Sequence, residues 1–206
     1  MIMKEKELTA AESLKLIERT IEQGRRDVAK ASAQPLLVWG GLVLSTSLII
    51  WLLITNTPNG EGGGRWYLLW ILMSLIGGVY QYKYNQLRSV PDSIVSRTIG
   101  YMWGVFGISV FVLWAINICA ITFDGISVRQ IIPMTPTIIL FMGLSVAVTG
   151  LVINRLFISV IGAVACAVCS YFSLVNQGVN ELLFVAVTAV FTLIVPGLYL
   201  KFSNGR

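Results

Sequence analysis

Six unbroken apolar stretches, 36–55, 66–82, 99–123, 137–153, 156–175 and 182–200, restrict this chain to very few folds. Each is 17 to 25 residues long. That is the length a helix needs to cross about 30 Å of hydrocarbon at roughly 1.5 Å per residue. Inside lipid every backbone N–H and C=O must find its partner within the protein, which leaves helices and closed barrels. A barrel strand is about ten residues of alternating apolar and polar side chains, and runs this long and continuous exclude it. The expected fold is all-α: an integral membrane bundle of six transmembrane helices (35–206), preceded by a cytoplasmic amphipathic helix (1–34).

Charge then sets the orientation. Only 12% of the residues are charged, and the first 30 hold seven of the 15 basic and six of the 10 acidic ones. With six spans, Lys4, Lys6, Lys15, Arg19, Arg25, Arg26, Lys30, Lys83, Arg88, Arg97, Arg155, Lys201 and Arg206 share one side, and Arg65 and Arg129 the other. The positive-inside rule places the richer side, with both termini, in the cytoplasm. Trp51, Trp66, Tyr67 and Trp70 are expected at the outer interface, and Tyr80, Tyr82, Tyr84, Tyr101 and Tyr199 at the inner one. A net charge of +5 does not make a nucleic-acid face, because the cations flank apolar runs instead of clustering on one solvated surface.

The N-terminal segment is the one amphipathic stretch. Thr9 with Glu12 forms a capping box. Leu14, Ile17, Ile21 and Val28 then recur at heptad spacing, with Gly24 and Ala31 at the remaining seam positions. Lys15, Glu18, Arg19, Glu22, Arg25 and Arg26 cover the other face, and Lys30 follows just before Pro35. Such a helix binds either the membrane surface or a cytoplasmic partner, through Leu14, Ile17, Ile21, Arg25, Arg26 and Lys30.

Within the spans, small residues set the expected packing, because lipid tails supply no hydrophobic drive between helices. Gly100, Gly104 and Gly107 form a one-sided strip on the third span, and Gly162 and Cys166 recur at helical spacing on the fifth. These two spans are expected to pack together at the centre, and a bulky residue at Gly104 is expected to part them. Pro196 and Gly197 mark a kink, a possible hinge, in the last span, and the hydroxyls of Thr188 and Thr192 are candidates to satisfy the backbone groups it frees. Ser89 is expected to cap the third helix, with Pro91 in its first turn. Val38-Trp39-Gly40 with Ser45 recurs 64 residues on as Met102-Trp103-Gly104 with Ser109, which hints at repeated hairpins.

No histidine is present, and no Asp, Glu, Lys or Arg falls inside a span. Histidine metal sites, Ser/His triads and intramembrane proton relays therefore lack their side chains. The Cys166 and Cys169 pair has redox spacing, but with no cation in reach it reads as packing. No catalytic, cofactor or metal residue is expected.

The opening 12–17 (ESLKLI), Leu37-Val38-Trp39-Gly40 and Pro196-Gly197 resemble a group of small bacterial inner-membrane proteins with six spans and an amphipathic N-terminal helix. The resemblance covers nearly the whole chain and implies architecture without an activity. Members often carry histidine after Pro-Gly, where this chain has Leu198. Two functions follow as expectations. The first is a non-enzymatic regulatory or scaffolding membrane protein working through its N-terminal helix. The second is a small transporter or channel for neutral or apolar solutes, lined by Ser45, Ser47, Ser109, Ser145 and Thr149.

Overall fold

The computed structural model describes residues 10–57, 63–87, 93–125 and 131–203. Among them the regular elements are all helices: α1 (Ala10–Thr55), the single turn α2 (Gly63–Trp66), α3 (Leu69–Leu87), α4 (Ile94–Phe123), α5 (Met134–Val152) and α6 (Leu156–Val175). The last helix has three parts, α7 (Glu181–Ala189), a π turn (Val190–Ile194) and α8 (Val195–Ser203). Five of these helices, α1, α4, α5, α6 and the α7–α8 unit, are long and apolar enough to cross a membrane. The α3 helix falls outside that set because its last seven residues, Gln81 to Leu87, are mostly polar.

The organising element is α1. It is one helix of 46 residues, about 69 Å long at 1.5 Å per residue, and it runs unbroken through Pro35. The amphipathic stretch and the first apolar run are therefore a single rod. Val28, Ala29 and Ala33 from one and Leu36 from the other enter the same core, with Val95 and Ile99 of α4, Met142 and Val146 of α5, Ile158 of α6, and Leu193 and Leu200 of the last helix. The seam is thus partly covered by the chain itself. A Cβ at Gly24 would stand 3.5 Å from Ser93, the residue that opens α4.

Chain punctuation explains the helix ends. The capping box at Thr9 and the cap at Ser89 lie outside the described residues; the cap that starts α4 is Ser93, whose Oγ accepts the Ser96 N–H at 3.1 Å. Gly125 (φ +62°) follows the end of that helix at Phe123. Between α5 and α6, Asn154 takes the left-handed conformation (φ +58°), and the Arg155 N–H donates to Gly150 O at 2.7 Å. This Schellman-type closure turns the chain in two residues and sets α5 directly against α6.

Candidate functional site

Leu14 (71% exposed), Ile17 (57%) and Ile21 (43%) stand clear of the bundle. With Glu18, Glu22 and Arg25 they line a groove of about 340 Å³ along the free length of α1. Below it the same helical face is covered: Gly24 meets Ser93, and Val28 is buried. The apolar seam therefore continues beyond the point where the described side chains stop covering it. Arg26 pairs with Glu22 at 3.1 Å. Both side chains are well exposed, so the pair adds at most about 0.5 kcal/mol. The Arg25 Nε is buried without a hydrogen-bond partner among the described residues, and Lys30 is exposed.

The small residues do not pair as the sequence suggests. Gly100, Gly104 and Gly107 have no described atom within 4 Å of an added Cβ. They face away from Val95, Ile99, Leu113 and Asn117, the buried residues of α4. Gly162 and Cys166 are buried, but against α5: a Cβ on Gly162 would lie 3.0 Å from both Ala147 N and Gly143 O, and one on Gly143 would collide with Cys166. Across the same seam the Ser159 Oγ donates to Ala147 O, and the Ser170 Oγ to Pro136 O, each at 2.9 Å. The close-packed pair is α5 and α6, not α4 and α6, because α4 turns its glycines outward.

Pro196 and Gly197 are buried in the seam between the last helix and α1. Pro196 has no N–H to give Thr192 O, and the helix responds by slipping register just before it: the Val195 N–H donates to Val190 O, five residues back. Thr188 and Thr192 donate to Phe184 O and Thr188 O, one turn back each, so their hydroxyls serve ordinary turns. At Gly40 a Cβ would meet Leu193 Cβ at 2.9 Å and Ile194 N at 3.2 Å, and at Gly197 one would meet Leu37 Cγ at 2.9 Å. The π turn and the Pro196-Gly197 pair after it are both pressed by α1.

The residues proposed to line a solute path do not converge. Ser45, Ser47 and Thr149 donate to Leu42 O, Val43 O and Ser145 O within their own helices. Ser109 and Ser145 share a groove of about 290 Å³ between α4 and α5 with six apolar side chains. Asn117 donates to Ile132 O at 3.0 Å and ties α4 to the approach into α5. Cys166 and Cys169 are buried and unpaired.

One arrangement was not anticipated from the sequence. Pro35 leaves the carbonyl of Ala31 without its helical donor, and the Tyr84 hydroxyl of α3 donates to that oxygen at 2.9 Å. One turn away, the Trp39 Nε1 donates to Gln81 Oε1 at 3.3 Å, and the Gln81 Nε2 to Asn85 Oδ1 at 2.9 Å. Trp39 also lies over Gly77, where any Cβ would collide with its ring. The signal was Pro35, which takes the helical donor away from the carbonyl four residues earlier.

Comparison of the chain with protein-family models, with curated proteins and with solved structures gives no match.

Proposed function

We propose that this is a six-pass protein of the bacterial inner membrane, with both termini in the cytoplasm. It serves a regulatory or scaffolding role without catalysis, by presenting the N-terminal seam of α1 to a cytoplasmic protein. The observation that carries this is the exposure of Leu14, Ile17 and Ile21 on a helix continuous with the first span. Their position supports a protein partner over the membrane surface. Ile17 lies 19 residues before Leu36, about 28 Å along the helix axis, whereas the headgroup layer is only about 5–8 Å deep. The polar face also mixes Lys15, Arg19, Arg25 and Arg26 with Glu18 and Glu22, unlike the cation-rich face of a surface-lying helix. The distribution of Lys and Arg supports the orientation, and α3 counts as the sixth span with its polar end at the inner interface. A solute path has less support, since three of the five hydroxyls serve their own helices.

The test is Ile17→Glu with Ile21→Glu in intact cells, followed by cross-linking and co-purification. Deletion of the whole segment is unsuitable, because Val28 and Ala29 belong to the core. The double variant is expected to fold normally and to lose its cytoplasmic partners. Recovery of the same partners in the same yield would overturn the role.

A further inference from the structure

We propose that α3 is a splint across Pro35, so that the Tyr84–Ala31 and Trp39–Gln81 contacts decide whether the part of α1 before Pro35, residues 10–34, stands straight or swings. The two residues of α1 held by α3, Ala31 and Trp39, lie four before and four after Pro35. Tyr84 and Gln81 are three apart on α3, on one face of that helix. The two hydrogen bonds thus bracket the proline, one on each side, in the antiparallel order of the two helices. The lower one replaces the backbone bond that the proline removes. Helices kink sharply at proline when that carbonyl is left to find its own partner; here a neighbour supplies the donor and the rod stays continuous.

The splint comes from a lightly held element. Met73 and Gly77 are the buried residues of α3; it packs chiefly against α1, and its Trp70 also rests on the Ile139, Cys169 and Val185 cluster. Tyr84 also stacks on Tyr80, with ring centroids 5.8 Å apart, so the phenol is steered by its own helix. The other interior proline is treated differently: Pro196 is absorbed by the π turn inside a clamped, buried helix. Pro35 is the joint that a second helix holds. Movement of α3 releases the joint, though Val28, Ala29 and Ala33 must also leave the core, and the lever is long: Arg19 lies 16 residues from Pro35, so a 20° kink displaces it by roughly 8 Å. This device stands whether or not the tip binds a protein.

The experiment is a distance measurement between nitroxides at Arg19→Cys and Val164→Cys, both exposed sites, in full-length protein lacking its native cysteines and held in nanodiscs. The parent is expected to give one narrow distribution. Tyr84→Phe, which removes one oxygen, is expected to add a broad component displaced by roughly 8 Å, in line with a kink at the proline. Pro35→Ala/Tyr84→Phe is expected to restore the narrow distribution, because the substitution returns a backbone N–H to position 35, within reach of Ala31 O. A narrow distribution for Tyr84→Phe, or equal broadening with and without Pro35, would overturn the proposal. If Tyr84→Phe alone is not monodisperse, the double variant must recover it, and failure of both overturns the proposal as well.

Discussion

Replacing Gly143 by alanine adds one carbon at the tightest point between α5 and α6. That carbon would collide with the Cys166 Cβ and lie 2.8 Å from both Cys166 Sγ and Gly162 O. Comfortable carbon contacts are about 3.5–4.0 Å, so the helices must part by roughly 1 Å. Overpacking of this kind costs about 1–3 kcal/mol. Parting also weakens Ser159–Ala147 and Ser170–Pro136, each worth about 0.6 kcal/mol between membrane helices. The expected loss is about 2–4 kcal/mol, or a melting temperature lower by roughly 5–15 °C for a chain of this size. Scanning fluorimetry of the purified protein in detergent reads it directly. Gly104→Ala is the control: no described atom lies within 4 Å, and alanine gains up to about 1 kcal/mol of helix propensity over glycine, so its melting point should hold or rise. Gly143→Ala/Cys166→Gly should recover part of the loss by removing the colliding atom. If Gly143→Ala melts with the parent, or Gly104→Ala falls as far, the assignment of the close-packed pair is wrong.

Other substitutions probe the remaining joints. Gly40→Val should push α1 off Leu193 and Ile194 and cost about 1–3 kcal/mol, seen as a lower detergent melting temperature. Asn154→Val should cost roughly 1–2 kcal/mol, since a β-branched residue resists the left-handed turn, while Asn154→Gly should be close to neutral by the same assay. Ser93→Ala should remove the cap of α4 at about 1 kcal/mol. Arg26→Ala, at an exposed ion pair, should change melting by less than the scatter of replicate scans.

Much of the fold was legible because hydrocarbon-length runs leave a chain few choices. The helices fall where the apolar stretches do, and Asn154 and Gly125 turn the chain where their conformational freedom is needed. Which face of a helix meets which neighbour was not legible. A glycine strip shows only that close approach is available, and α4 turns Gly100, Gly104 and Gly107 outward while α5 uses Gly143, Ala147 and Gly150, at the same kind of spacing. The apparent repeat divides in the same way. Gly40 presses on the π turn, and Gly104 meets no described atom. The heptad-spaced stretch of Leu14, Ile17 and Ile21 is plain in the sequence. Its continuity with the first span is not, because a proline normally marks a boundary, and the donor that overrides it, Tyr84, comes from 53 residues along the chain.

The most direct test of the proposed role is the depth of the seam in a bilayer. Nitroxides at Ile17→Cys and Arg19→Cys, on opposite faces of α1, would be compared in nanodiscs for relaxation by a water-soluble nickel chelate and by oxygen. A helix that stands off the membrane makes both sites accessible to nickel and poor in oxygen. Oxygen-rich relaxation at 17 together with nickel-rich relaxation at 19 would mean that the helix lies flat with its seam in lipid, and would contradict the presentation of this surface to a cytoplasmic protein.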